Sequence, residues 1–489
     1  MQIKGLQLVF LAILGGCLLG FGFPFAEGNI YFSSLAVVPI CLLVFKRSRA
    51  DKIIYGLAAL VLLLGNMPFF SSQFVFSFVA LVPLLLINFE LNAKIRFRFW
   101  KRFGLNYLYF LTYNIIATWW IYNASPEGMY MAVLTNSFMM SVPLFFTGFI
   151  ARHLGNSKGL IAFVVLWLSF EYKTYYGEIS WPWLNFGHFF ADSPKLIQWY
   201  EYSGVSGGTL WILMTNVIIY IIVRNVWLEK ESWKIQAPNL VALALAFVIP
   251  VTSSLWMYFG YESSNKQEDG TEKTINVVCV QPNIESYQEK FYLPLNVQLT
   301  KMFRLADQKM NEETDLVVFP ETALPFPMLE NRPDKMEGSI LDEQVPVLSV
   351  RKFLEEHDNT PALIGASTNR FFTEEKSVAS LPYGSLWYEN YNTALMVQPN
   401  VPTQIYHKAK PVLGGEKVPF IAWFPFLKEY SVELGGTSGV IGPGSPVKCQ
   451  EASGFKITPM ICYESVYGEF VSYFTRMESD LICVITNDG

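Results

Sequence analysis

Charge is scarce in this sequence. Only 16% of its 489 residues are Asp, Glu, Lys or Arg, against about a quarter in soluble chains, and the deficit excludes an ordinary soluble protein. The net charge of −5 supplies no basic surface and argues against a nucleic-acid partner. Histidine is rarer still, with four residues and no HExxH pattern, so the zinc-protease signature is missing. The six cysteines (Cys17, Cys41, Cys279, Cys449, Cys462 and Cys483) form no CxxC pair, which indicates neither a disulfide framework nor a metal centre. Ionisable residues are also missing from the interiors of the long apolar runs, which argues against transport through them.

What is present is apolar and unevenly placed. Hydrophobic residues make up 52% of the chain and the mean hydropathy is +0.29. Uncharged runs fall at about residues 5–20, 30–45, 53–70, 74–88, 105–122, 129–150, 159–170, 210–223 and 240–258. They are long enough, or nearly so, to cross a bilayer, and predict about nine spans. Basic residues follow every second run: Lys46, Arg47, Arg49 and Lys52; Lys94, Arg96, Arg98, Lys101 and Arg102; Arg152 and Lys158; Arg224, Lys230 and Lys234. The positive-inside rule then places the N-terminus in the cytoplasm and everything after Tyr258 on the far side. The first run lacks a small-x-small cleavage site and reads as a retained anchor. The outer loop from Tyr172 to Gly204 is crowded with aromatics. Such rings suit the headgroup interface, as a belt or as a lipid-contacting wall.

From Glu262 onward, charge and turn residues return to ordinary density, so residues 1–260 are expected to be a membrane domain and 261–489 a second domain. There, strand-like runs start at Ile275, Asp315, Pro361, Asn392, Phe455 and Asp480, with helices over about 293–311 and 347–357, an α/β pattern. The runs are nearly continuous in apolar residues, as in strands covered on both faces. FKITPMIC ends at Cys462, and Tyr463, Glu464 and Ser465 open a helix-like segment. Unpaired backbone N–H groups at such a turn lower a thiol pKa and hold an oxyanion. Glu321 ends DLVVFPE, and Lys408 follows the run from Asn392. Ligand sites gather at strand carboxyl ends. A carboxylate base, an ammonium and a thiol there form a complete set for nucleophilic catalysis. Singly, each has a plainer reading: Cys462 as a buried small hydrophobe, Glu321 as a helix cap, Lys408 as one solvated charge beside Lys410 and Lys417.

Taken together, the order Glu, Lys, Cys resembles the nitrilase superfamily. FPETALPF, YHKAKPVLGGEKVP and MICYESVYGE after a multi-span half resemble the apolipoprotein N-acyltransferases within it, as do SWPWLNFGHF, VQPNIE, YNTALMV and VITNDG. The resemblance implies an α-β-β-α sandwich on the periplasmic side of the bacterial inner membrane. It implies Glu321 as base, Lys408 as oxyanion and thiolate stabiliser, and Cys462 as nucleophile. Supporting roles fall to Glu416, Tyr463, Glu464 and Asn392. Phe291 is the nearest aromatic to the position where the family has a tryptophan, displaced by one residue. PVLGGE stands where the family reads LVPFGE, and the third and fourth spans exceed the family's usual seven leading spans. The implied reaction moves an acyl chain from a phospholipid through a Cys thioester to the amino group of a diacylated apolipoprotein, with no cofactor and a monomeric enzyme. Two readings stand beside it: a membrane-tethered amidase that passes the thioester to water, and an inactive lipid-binding fragment. The family continues past the NDG turn where this chain stops at Gly489, so a C-terminally incomplete sandwich is expected.

Overall fold

The computed structural model describes residues 5–21, 73–90, 98–265, 274–285, 289–334, 338–430, 439–444 and 447–487. The chain divides into two compact units, residues 1–269 and 270–489. The expected spans at 30–45 and 53–70 lie outside the described residues.

The first unit is helical. Among the described residues, its long helices are α1 (Gly5–Phe21), α2 (Ser77–Glu90), α3 (Arg98–Thr118), α4 (Pro126–Leu154), α5 (Asn156–Tyr176), α6 (Tyr200–Val223) and α7 (Ala237–Asn265). Among the described residues, three helical stretches are long and apolar enough to cross a membrane: Pro126–Leu154, Tyr200–Leu228 and Trp233–Ser263. Helix α4 shows why the sequence starts and stops where it does. Ser125 accepts from the N–H of Gly128 at 3.0 Å, Pro126 occupies the first turn, Arg152 and His153 occupy the last, and Gly155 ends it at φ +92°. In α1 the glycines permit close approach: a Cβ at Gly16 would lie 2.3 Å from the carbonyl oxygen of Tyr109 in α3. Buried asparagines tie helices across the bundle. Asn88 and Asn106 exchange hydrogen bonds at 2.8 and 3.1 Å, and Asn136 donates to Asn114 at 2.7 Å.

The Tyr172–Gly204 loop corrects the sequence reading. Leu184, Phe186, Phe189 and Phe190 are buried in the bundle core, with Phe186 stacked on Trp167 (4.7 Å) and Phe190 on Trp211 (5.0 Å). Tyr172, Tyr176 and Tyr202 stay exposed. The cause is Glu171, which the sequence placed just beyond a span ending at Phe170. Helix α5 runs on to Tyr176 and buries Glu171, which accepts from Trp167 Nε1 (2.9 Å), the Phe186 N–H (2.8 Å) and Thr209 Oγ1. A buried carboxylate persists only when its lone pairs are filled. Here the filling draws the loop inward.

Among the described residues, the second unit holds two sheets. The larger contains β1 (Val277–Cys279), β2 (Leu316–Val318), β3 (Leu324–Leu329), β4 (Ala362–Phe372), β5 (Leu381–Tyr383), β6 (Leu386–Gln398) and β7 (Val401–His407). Its order is β1-β2-β4-β6-β5, with β3 paired to β4 and β7 to β6. Strands β1, β2 and β4 run parallel and β6 antiparallel to β4. The smaller sheet is β10-β9-β8, from β8 (Gln450–Ala452), β9 (Phe455–Ile461) and β10 (Leu481–Ile485). All six strand-like runs read from the sequence contain a strand. The ones it missed are short or polar, such as LPY and VPTQIYH, where period-two patterning is weak.

Alternation sorts the faces. Ala362, Ile364, Ala366, Leu395 and Val397 pack with Leu299, Met302 and Ala306 of α8 (Leu295–Asp307) and Val347, Val350 and Leu354 of α9 (Val345–Glu355). On the smaller sheet, Gln450 reaches across and donates Nε2 to the carbonyls of Ala394 (3.2 Å) and Gln404 (3.1 Å) on the larger one. Two strand ends, β2 and β9, carry Glu321 and Cys462.

Candidate active site

Strand β2 runs into Phe319, Pro320 and Glu321, and the turn is forced into a narrow place. Thr322 adopts φ +46°, unusual for a β-branched residue. Gly365 on β4 makes room for it. A Cβ there would lie 2.5 Å from Glu321 Cα, 2.5 Å from Thr322 N and 2.6 Å from Pro320 O. These are backbone atoms and cannot rotate away. Gly365→Ala is therefore expected to cost about 1–3 kcal/mol of stability and to displace Glu321. Denaturant unfolding measures the first effect, and a slower alkylation of Cys462 the second. Wild-type values in both would contradict the packing argument.

Glu321, Asn392, Lys408 and Glu416 meet in one buried cluster. Lys408 Nζ lies 3.2 Å from Glu321 Oε1 and 2.9 Å from Glu416 Oε2. Asn392 Nδ2 donates to Glu321 Oε1 at 2.7 Å and to Glu416 Oε1 at 2.9 Å. Register brings these residues together: Asn392 is on β6, and the N–H of Lys408, just past β7, donates to the Asn392 carbonyl at 2.8 Å. Glu416 is fixed by its own turn, with the Val412 N–H on Oε2 at 2.8 Å. Burial alone would raise Glu321, but the Lys408 ammonium, the Asn392 amide and the Lys290 ammonium outweigh it and hold the carboxyl below its usual range. Lys408 is pulled the other way. Burial opposes its charge, yet Glu321, Glu416 and Cys462 raise it above the ordinary lysine value. The resting pair is thus carboxylate and ammonium.

Cys462 ends β9 in the left-handed region, at φ +50°, a position costing about 1–2 kcal/mol for a residue with a Cβ. Glu464 pays for that turn. Its Oε2 accepts from the Ile461 N–H (2.8 Å), and its Oε1 from Tyr406 OH (2.8 Å), Ala409 N–H (2.6 Å) and Lys410 N–H (3.3 Å). Burial pushes Glu464 up to about 7, against the pull of these donors. Since every partner is a donor, the ionised form is the one the turn is built around. Tyr463 is buried, its ring edge-on to Tyr467 at 5.3 Å.

Phe291 is half-buried, and its neighbour Lys290, not singled out by sequence, is the side chain that enters the cluster. Lys290 Nζ donates to the Glu321 carbonyl at 3.1 Å and to Thr322 Oγ1. Also missed was the buried pair of His407 and Glu330, 2.6 Å apart, with Thr368 Oγ1 donating to the same oxygen at 2.6 Å and Tyr391 stacked on His407 at 4.0 Å. Burial would raise Glu330, but His407 holds it below its usual range. This pair braces β7 directly before Lys408. No local pattern in the sequence marks either feature.

A buried Glu–Lys pair from the larger sheet and a strained cysteine ending a strand of the smaller one place a carboxylate, an ammonium and a thiol in the second unit, the groups that nucleophilic catalysis uses. The second unit is a carbon-nitrogen hydrolase domain, whose family model matches residues 277–489. The helical unit matches the model of the apolipoprotein N-acyltransferase N-terminal domain over residues 58–218. The chain is similar to an apolipoprotein N-acyltransferase of Chlorobaculum tepidum, 28% identical over 413 residues, covering 83% of this chain and 73% of the relative. A Geobacter metallireducens protein of the same description is 24% identical, covering 68% of this chain and 58% of the relative. One from Rickettsia prowazekii is 25% identical, covering 82% and 72%. The two family models thus fall one on each unit, and the relatives similar to this chain across both are apolipoprotein N-acyltransferases.

Proposed function

We propose that this protein transfers a fatty acyl chain from a phospholipid to the α-amino group of the diacylglyceryl-cysteine of apolipoproteins. The observation that carries the chemistry is the Lys408 ammonium, bonded to two buried carboxylates and within electrostatic reach of Cys462. Glu321 takes the thiol proton as Cys462 Sγ attacks the ester carbonyl. Lys408 and the Tyr463 N–H hold the tetrahedral oxyanion. The intermediate collapses to a thioester, and Glu321 returns the proton to the departing lysophospholipid oxygen. The acceptor amine then attacks the thioester, Glu321 accepts its proton, and the thiol is regenerated. Glu416 and Asn392 hold Lys408 and Glu321 in register throughout.

A phospholipid never leaves the bilayer and the acceptor is lipid-anchored, so a nucleophile tethered to spanning helices meets both. The finer topology belongs to the same reading. About nine spans cover residues 1–260 with the N-terminus cytoplasmic, residues 261–489 lie in the periplasm at the inner membrane, and the enzyme is a monomer.

The test is intact mass of the detergent-solubilised protein after incubation with phosphatidylethanolamine. An acyl-sized, hydroxylamine-labile adduct that a diacylated lipopeptide discharges onto its amine supports the reading. Release of free fatty acid without any acceptor would favour the amidase instead. No adduct at all would sink both.

Glu464 gives the reaction a pH signature. Its folded value of about 7 lies above its ordinary 4.5, so its stabilising contribution is fully present below about 4.5 and is lost as pH rises through about 7. The activity runs the opposite way, because a protonated Glu464 turns an O–H toward one of the donors its two oxygens hold, the Ile461 N–H on one side or Tyr406, Ala409 and Lys410 on the other, and loosens the turn. Transfer rate is expected to drop as pH falls through about 7. Glu464→Gln, which turns an amide N–H toward one of those donors, should lower the rate at pH 8 about 10- to 100-fold and flatten that limb. A Gln variant with the wild-type pH profile would contradict this assignment.

A further inference from the structure

The chemistry above leaves one buried lysine without a task. Lys290 is 3% exposed, and burying a lysine costs both rotamer freedom and desolvation. Its ammonium donates to the Glu321 carbonyl (3.1 Å) and to the Thr322 hydroxyl, both in the turn that Thr322 strains at φ +46°. Lys290 is anchored from behind as well. Gln298 of α8, itself buried, donates Nε2 to the Lys290 carbonyl at 2.7 Å and to the Leu293 carbonyl at 2.9 Å. The Lys290 N–H donates to the Glu285 carbonyl at 3.0 Å. A continuous line of hydrogen bonds therefore runs from a helix, through Lys290, to the backbone that carries the proposed base.

The charges that face the ammonium come from two other elements, Glu321 at the end of β2 and Cys462 at the end of β9. Lys408 stands one partner further, through Glu321, and Glu416 one beyond that, through Lys408. Burial pushes Lys290 down to about 8 while Glu321 and Cys462 hold it up. It stays mostly charged at neutral pH.

We propose that Lys290 is a positioning residue for the thiol chemistry: it clamps the strained Glu321–Thr322 turn and supplies, besides Lys408, a second ammonium that stabilises the Cys462 thiolate. The idea rests on Cys462 being the nucleophile of the proposed transfer. Its test therefore avoids lipid substrates, so that it stands or falls apart from the acyl-adduct experiment.

The rate of Cys462 alkylation by iodoacetamide is followed against pH in the full-length, detergent-solubilised protein and read by mass spectrometry on the Cys462 peptide. Lys290→Gln keeps donors for the Glu321 carbonyl and Thr322 but removes the charge, and Lys290→Met removes both. Both are expected to move the alkylation midpoint upward by about one pH unit, a tenfold loss of thiolate at a fixed pH below it. Lys290→Arg should return the midpoint towards wild type. A merely structural lysine would lower the melting temperature and leave the midpoint in place. Folded Lys290→Gln protein with the wild-type midpoint overturns the proposal. Should Lys290→Met fail to fold, the Gln and Arg variants still decide it.

Discussion

Lys408→Met is expected to cost about a thousandfold in acyl transfer and about 3–5 kcal/mol in stability of the second unit. The reason is the company Lys408 keeps. Glu321 and Glu416 share the Asn392 amide, at 2.7 and 2.9 Å, and without the ammonium they become two buried like charges. One of them must then take up a proton. The pH dependence follows from the direction of Glu321's shift. Its folded value lies below the ordinary one, so its contribution is present above the ordinary carboxylate range and is lost as pH falls through the folded value. The variant lacks that contribution. Its deficit against wild type should therefore be large at pH 8 and shrink on acidification. Thermal unfolding at pH 8 and at about pH 3, below the ordinary carboxylate value, measures it. An equal deficit at both would mean that Lys408 is held by packing and not by its carboxylates. Lys408→Arg should rescue neither activity nor stability, because a planar fork does not fill the site of a compact ammonium.

Cys462 separates chemistry from folding. Cys462→Ala and Cys462→Gly should both abolish the acyl adduct, since no other group supplies the sulfur nucleophile of the thioester. Their stabilities should differ. At φ +50° a side chain costs about 1–2 kcal/mol that glycine avoids, partly offset by glycine's greater freedom when unfolded. Cys462→Gly is thus expected to be about 1 kcal/mol more stable than Cys462→Ala, a shift of roughly 2–4 °C for a unit of this size. Equal melting temperatures would place the strain elsewhere than at the nucleophile. The expected order describes a site that gives up stability to expose a thiol at a turn.

The sequence reading succeeds where burial is periodic or composition is extreme. The apolar runs marked the helices at 126–154, 200–223 and 237–265, and the continuous apolar strands around Val317, Ile364 and Leu395 were legible because both faces of their sheet are covered. Glu321, Lys408 and Cys462 stood out because they sit at or just past the ends of strand-like runs, whereas Glu416 came only from the family resemblance. Where the reading failed, the partner lies far along the chain. The aromatics at 184–190 look interfacial until Glu171, Thr209 and Trp167 are known to meet. Lys290 looks like any charge beside Glu289 until Gln298 and Thr322 are placed.

By itself, then, the sequence determined that this chain has a membrane-type helical half and an α/β half, and which residue types stand at the strand ends. Local hydrophobic patterns encode which residues leave water, because burial scales with apolar area. They do not encode which charges face each other. The tertiary structure alone decided that Asn392 and Lys408 would meet Glu321, that Gly365 must lack a side chain for Glu321 to fit, and that Lys290 would enter the cluster. Those outcomes depend on the register of β4 on β6 and of β6 on β7. In a low-dielectric interior, a separation of about 3 Å decides whether a charge is stabilised or expelled.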